Sequence, residues 1–180
     1  MTTATLSGEA AAIVRAFADT SIRAIAHVPS SAITPLLTDM LERAGEAGVP
    51  ELIPVGREEE AVGIVGGMNL VGHRGAILMQ DNGFGNALTA IATWASAYHL
   101  PLPIFANERG GLGEYNSMIH SISGSARDLL RALRVPVFDL TFREEPDAWH
   151  DVAVEAIEHA WLTRRPVAVT MNFWEGATRA

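Results

Sequence analysis

Three consecutive glutamates, Glu58, Glu59 and Glu60, begin a stretch that is otherwise apolar and rich in glycine. Acidic side chains in the first turn of a helix complement its dipole, each by about 0.3–1 kcal/mol, and this alone would account for all three. On a helix, however, Glu59 shares a face with Gly63 and Gly66. Glycine inside a helix costs about 1 kcal/mol relative to alanine, which close packing of another backbone or a flat ligand would offset. The pattern alone favours neither alternative: the glutamates could simply begin a helix, or one of them could take part in catalysis.

A second candidate for chemistry is the sequence QDNGFGN at 80–86. Gly83 and Gly85 allow a sharp turn and a close approach. Asn82 or Asn86 could cap the following helix, whose N-terminal amides favour an anion. The segment lacks the lysine and hydroxyl of a Walker loop and the spacing of the dinucleotide fingerprint. Taken alone, it indicates only a glycine-containing turn from strand to helix.

The elements that must position these residues alternate along the chain. Short apolar runs predict strands at 22–28, 51–55, 75–80, 102–107, 136–140 and 166–172, and helical patterns predict helices at 8–18, 33–47, 57–71, 85–98, 123–133 and 146–163. Strands that are apolar at nearly every position are typical of a sheet covered on both faces. We therefore predict an α/β fold, a three-layer sandwich with a six-stranded, mostly parallel sheet. The glycine-rich segment 108–123 is predicted to be a long loop.

Composition limits the classes of partner. The 180 residues suit one domain, 1–180, and 48% of them are hydrophobic. A net charge of −8 argues against nucleic acid or an anionic membrane. The absence of cysteine excludes disulfides and thiolate metal sites. Because the first residues do not resemble a signal peptide and no apolar run is long enough to span a bilayer, we expect a cytoplasmic protein.

Four segments together resemble a known family: HVPSSAITPLL, REEEAVGIVGGMNLVG, ILMQDNGFGNALTAIATW and LPLPIFANERGG. In order and spacing, residues 10–140 are similar to the pyrimidine-binding domain of thiamine-diphosphate-dependent decarboxylases. Within that family they most resemble the sulfopyruvate decarboxylase alpha subunit and phosphonopyruvate decarboxylase. The resemblance implies the pyrimidine-binding fold and decarboxylation of a 2-oxo acid.

The resemblance also implies roles for individual residues. A glutamate at the start of the helix after the second strand contacts the cofactor's aminopyrimidine ring, and the spacing to the glycines at 66–67 selects Glu59, with Glu58 and Glu60 open by a one-residue slip. Burial against an apolar wall would tune the protonation of this carboxyl group. The other residues expected at the site are Asn82, Gly83, Phe84 and Asn86 beside the cofactor, and Ser30, Ser31, Arg109 and His120 beside the substrate.

The chain lacks the GDG sequence that holds magnesium and the diphosphate in full-length relatives. The resemblance therefore implies half an enzyme. A beta subunit would carry the diphosphate-binding domain, in an alpha2beta2 heterotetramer that uses thiamine diphosphate and Mg²⁺. Two alternatives remain open, a carboligase subunit that uses the same cofactor and a non-catalytic structural or regulatory partner that retains the fold. The identity of the 2-oxo acid is also left open.

Overall fold

The computed structural model describes residues 7–111 and 114–173 as one sheet covered by helices. The strands are β1 (Ala24–His27), β2 (Glu51–Pro54), β3 (Gly75–Gln80), β4 (Leu102–Asn107), β5 (Val137–Thr141) and β6 (Pro166–Asn172). The helices are α1 (Gly8–Asp19), α2 (Thr34–Glu42), α3 (Glu58–Leu70), α4 (Phe84–Ala90), α5 (Ser117–Ala132) and α6 (Pro146–Thr163). A 3-10 turn (Asp81–Gly83) precedes α4, and a π-helix (Ile91–Ser96) follows it.

The six strands lie in the order β2-β1-β3-β4-β6-β5, and every neighbouring pair is parallel. This confirms the predicted α/β class and makes the sheet fully parallel. From β1 the chain first adds β2 on one side and then crosses back to add β3 on the other. Ligands of open parallel sheets bind beyond the carboxyl ends of the strands, at such a reversal of strand order.

Two apolar clusters form the core, one on each face of the sheet. One cluster lies beneath α1, α2 and α6 and includes Phe17, Phe105 and Trp149. The other lies beneath α3, α4 and α5 and includes Phe84 and Ile91. The predicted three-layer sandwich is therefore confirmed. No helix within the described ranges is both long and apolar enough to cross a bilayer.

Two predicted helix boundaries were wrong. Helix α2 ends at Glu42 instead of 47, because Gly45 and Gly48 have φ angles of +89° and +84°, which a right-handed helix cannot contain. Helix α5 begins at Ser117 instead of 123, because the side chain of Asn116 caps it by accepting the N–H of Met118. The predicted loop is correspondingly shorter.

Candidate active site

Glu59 lies in the first turn of α3, at the carboxyl end of the sheet beyond β2. Its Oε1 accepts a hydrogen bond from Nε of Arg57 at 2.5 Å, and its Oε2 is buried with no hydrogen-bond partner among the described residues. The hydrogen bond from Arg57 holds the pKa of Glu59 below its usual range. The side chain is 36% exposed, so the residues that the structure describes leave it without the full apolar wall that the resemblance implies.

The neighbouring glutamates are both paired within the chain. Oε2 of Glu58 accepts from Nδ2 of Asn86 at 2.8 Å, which links the starts of α3 and α4. Oε2 of Glu60 accepts from the backbone N–H of Gly56 at 3.0 Å, which supports the start of α3. Of the three acids, Glu59 is the one that has a buried oxygen free to accept a hydrogen bond.

The glycine face that follows Glu59 divides into two parts. Gly66 is covered by Trp94, since a Cβ at this position would lie 2.3 Å from Nε1 of the indole. At Gly63 and Gly67 an added Cβ would meet nothing within 4 Å, so their side of α3 faces outward. The predicted close packing on this face therefore occurs within the chain at Gly66, while Gly63 and Gly67 stay open.

The segment 80–86 connects β3 to α4 through the 3-10 turn. Gly83 is closely packed, because a Cβ would lie 2.5 Å from Cγ of Glu58 and the glutamate side chain would have to shift. Oδ1 of Asn82 accepts from Nε2 of Gln80 at 2.5 Å. The side chain of Phe84 is fully buried in the core, and its expected place beside the cofactor stays a prediction. Sequence alone does not distinguish a core phenylalanine from one at a cleft, because both follow a turn.

Arg109 lies just beyond β4 and donates to two neighbouring side chains. Its Nε donates to Oε2 of Glu114 at 2.6 Å and its Nη1 donates to Oε1 of Gln80 at 2.9 Å. The side chains of Arg109 and Glu114 are 15% and 6% exposed, and the guanidinium lowers the pKa of Glu114 to about 2. The positive charge that the sequence offered to an anionic substrate is therefore compensated by Glu114.

Asp81 is a buried acid at this edge that sequence reasoning missed. It accepts hydrogen bonds from Oγ of Ser123 at 2.7 Å and from the backbone N–H of Arg109 at 3.0 Å. Burial raises its pKa, although these hydrogen bonds oppose the shift. Because Ser123 belongs to α5 and Arg109 follows β4, Asp81 links the end of β3 to both of these segments. Its position directly after a buried strand could have marked it in the sequence as a candidate site residue.

Ser30 and Ser31 follow β1 and reach the end of β4. Oγ of Ser30 donates to Oδ1 of Asn107 at 2.9 Å, across 77 positions of sequence. Beside this contact lies a cavity of about 260 Å³. Its lining residues are Ser31, Ala32, Asn107, Glu108, Arg109, Tyr115 and Phe173. Ser31 and Arg109, two of the residues predicted beside the substrate, thus line one cavity together with Asn107.

The histidines differ in their placement. His120, expected in a loop, lies in the first turns of α5, where it is exposed and its Nε2 is 3.0 Å from the carbonyl oxygen of Glu114. His27, at the end of β1, is buried, and burial lowers its pKa. Its Nδ1 has no hydrogen-bond partner. Nowhere among the described residues do three histidine or acidic side chains gather as a group that could hold a metal ion.

Comparison with solved structures finds the same fold in two larger proteins. A 2-oxoglutarate:ferredoxin oxidoreductase from Magnetococcus marinus matches with a TM-score of 0.63 and 16% identity, over 92% of this chain and 28% of that one. A split-gene transketolase matches with a TM-score of 0.64 and 16% identity, over 92% of this chain and 50% of that one. The chain therefore spans at most half of either protein, and at this identity the likeness concerns the fold alone.

Curated relatives match at higher identity, whereas no protein-family model matches. The sulfopyruvate decarboxylase alpha subunit of Methanococcus maripaludis is 28% identical over 91% of this chain and 95% of its own length. The subunit from Methanothermobacter thermautotrophicus is 32% identical over 68% and 73%, and that from Methanocaldococcus jannaschii is 30% identical over 91% and 94%. These matches confirm the resemblance seen in the sequence. The chain belongs to the family of sulfopyruvate decarboxylase alpha subunits.

Proposed function

We propose that this chain is the alpha subunit of a thiamine-diphosphate-dependent 2-oxo acid decarboxylase, a carboxy-lyase that acts with a partner subunit. Family membership supports the reaction class, since three relatives are named as alpha subunits of sulfopyruvate decarboxylase. The observation that carries the role of Glu59 is its buried and unpaired Oε2 at the carboxyl edge of the sheet. We propose that this oxygen contacts the aminopyrimidine ring.

The residues present fit that cofactor. Oε2 of Glu59 has no partner among the described residues, and a donor on the ring would supply one. Arg57 holds Oε1 at 2.5 Å, so Oε2 is oriented before a ligand arrives. The lowered pKa of Glu59 keeps its carboxyl group ionised near neutral pH, so that Oε2 can accept a hydrogen bond. When bound, thiamine diphosphate would supply the group that stabilises the carbanion left by loss of carbon dioxide.

A partner would complete the site. The outward side of α3 exposes Ile64 and Leu70, 37% and 54% exposed, in line with the open Gly63 and Gly67. A subunit packed on this side would supply the apolar wall that Glu59 lacks, and burial would then raise its pKa from the present value. We propose that this subunit also holds Mg²⁺ and the diphosphate, in an alpha2beta2 heterotetramer.

The first experiment reconstitutes the complex. The chain is co-purified with a diphosphate-binding subunit and supplied with thiamine diphosphate and Mg²⁺. Sulfopyruvate, phosphonopyruvate and pyruvate are then screened for release of carbon dioxide, with and without an acceptor aldehyde. We expect carbon dioxide from the complex and none from the chain alone. Turnover by the isolated chain would refute the half-enzyme proposal, and ligation to the aldehyde as the main reaction would indicate a carboligase.

The second experiment tests Glu59. Glu59→Gln keeps the size of the side chain but cannot exchange a proton, so the reconstituted complex should lose at least about tenfold in kcat/KM, or about 1.4 kcal/mol. Glu60→Gln is the matched control, because Glu60 only supports the start of α3 through Gly56. It should retain activity within about threefold, or about 0.6 kcal/mol. A loss below tenfold for Glu59→Gln would refute the role of Glu59 and leave the subunit assignment standing.

A further inference from the structure

Asn107, the last residue of β4, has 0% exposure and lines the 260 Å³ cavity at the sheet edge. Its Oδ1 accepts the hydroxyl hydrogen of Ser30, but its Nδ2 has no hydrogen-bond partner in the part of the chain that the structure describes. An unsatisfied buried donor costs about 1–3 kcal/mol, and few buried polar groups in native proteins are left in this state. A scaffold role for Asn107 would require only the bond to Ser30. The free donor and the adjoining cavity together make Asn107 a candidate for contact with a ligand.

The charged side chains around the cavity are paired with one another, which leaves the amide of Asn107 as the candidate ligand donor. Glu114 compensates Arg109 through their buried ion pair. Glu108 lies 3.2 Å from Arg127, which also pairs with Asp139 at 3.0 Å. Among the described residues that line the cavity, no cation is left to bind a second negative charge such as a sulfonate. The amide donor suits an oxygen that every 2-oxo acid carries.

We infer that Asn107 is a further substrate-binding residue, whose Nδ2 donates to the carboxylate end shared by all 2-oxo acids bound in this cavity. The inference rests on the proposed function. The volume is sufficient, because one water occupies about 30 Å³ of liquid and the cavity of 260 Å³ exceeds this several times. Ser30 fixes the amide in advance, so binding need not restrict another side chain.

Two substitutions test the donor in the reconstituted complex. Asn107→Leu removes the donor at similar volume, and Asn107→Asp keeps an oxygen for Ser30 while replacing the donor with a negative oxygen. Both should raise KM at least about tenfold, by a similar factor for pyruvate and sulfopyruvate, with a smaller change in kcat. Asn116→Asp is the matched control, because this residue caps α5 and aspartate is an equally good cap. Its KM should stay within twofold of the original value.

A second readout separates binding from structure. Pyruvate should raise the Tm of the complex in the absence of thiamine diphosphate, because a ligand that binds only the folded state stabilises it, and Asn107→Leu should abolish this shift. If both Asn107 variants keep KM within twofold while the original complex is active, the inference is refuted and the proposed function stands. If the original complex releases no carbon dioxide, the proposed function fails. An equal pyruvate-induced Tm shift with and without Asn107→Leu would then refute the inference by itself.

Discussion

Alanine at Gly66 and alanine at Gly63 should change the stability of this chain in opposite directions. Both glycines lie within α3, where alanine is favoured over glycine by about 0.8–1.0 kcal/mol. They differ in what an added methyl group would meet. At Gly66 the new Cβ would lie 2.3 Å from Nε1 and 2.9 Å from Cδ1 of Trp94, and 3.4 Å from Cδ1 of Leu100. At Gly63 it would meet nothing within 4 Å.

The magnitudes follow from these distances. Adding a methyl group to a packed site costs about 1–3 kcal/mol, and overlap with a rigid indole ring favours the upper half of that range. After subtracting the helix preference of about 1 kcal/mol, Gly66→Ala should lower the free energy of unfolding by about 1–2 kcal/mol. Gly63→Ala should raise it by about 0.5–1 kcal/mol. For a chain of this size each kcal/mol corresponds to about 2–4 °C in Tm.

Thermal unfolding of the isolated chain, followed by circular dichroism, measures both changes. Gly66→Ala should lower Tm by about 2–8 °C, and Gly63→Ala should raise it by about 1–4 °C. Gly63→Ala in the complex then reports on the partner. If a subunit packs on the open side of α3, the same substitution should weaken association. A Gly66→Ala chain as stable as the original would refute the packing argument, and a less stable Gly63→Ala chain would show that its side of the helix is covered.

Two further predictions concern buried polar groups away from Glu59. Asn69 accepts from the N–H of Gly75 and donates to the carbonyl oxygen of Pro101, both at 2.7 Å. Asn69→Leu leaves both groups unsatisfied and should lower the free energy of unfolding in urea by about 2–4 kcal/mol, whereas a loss below about 0.5 kcal/mol would contradict this role. Arg109 lowers the pKa of Glu114 from 4.5 to about 2, so this pair stabilises the fold above pH 4.5 and loses its effect as pH falls towards 2. The Tm advantage over Glu114→Gln should therefore shrink over that pH range, and a constant difference would contradict the assignment.

The strands could be predicted closely from the sequence because the central ones are buried on both faces. Segments 75–80, 102–107 and 166–172 are apolar at nearly every position, and their bounds agree with β3, β4 and β6. The start of α5 was harder to predict, because serines and Gly124 resemble a loop until the cap at Asn116 is seen. Local composition predicts burial well. It does not predict which side chain accepts hydrogen bonds from the free backbone N–H groups at the start of a helix.

The candidate site shows the same limit. Helical spacing singled out Glu59, but it could not show that Glu58 and Glu60 are paired to Asn86 and Gly56. Asn107 was not identified, because its partner Ser30 lies 77 positions away and the contact exists only in the folded sheet. Arg109 was selected for its charge, and no local pattern predicts that Glu114 compensates it. Residue type indicated which side chains could bind a ligand or take part in catalysis. Their hydrogen-bond partners in the fold decide which of them are free to do so.

The polar side chains at the carboxyl edge of the sheet fall into two groups, those paired within the fold and those with an atom left free to contact a ligand. Buried polar atoms without a partner occur at the ends of three strands: Nδ1 of His27 at β1, Oε2 of Glu59 beyond β2 and Nδ2 of Asn107 at β4. Strands β2 and β4 are three positions apart in the sheet, which corresponds to about 14 Å. Each unpaired atom lowers the stability of the isolated chain where nothing satisfies it. A ligand that formed hydrogen bonds with these atoms would recover that loss on binding. The ligand-bound chain would therefore be more stable than the isolated chain.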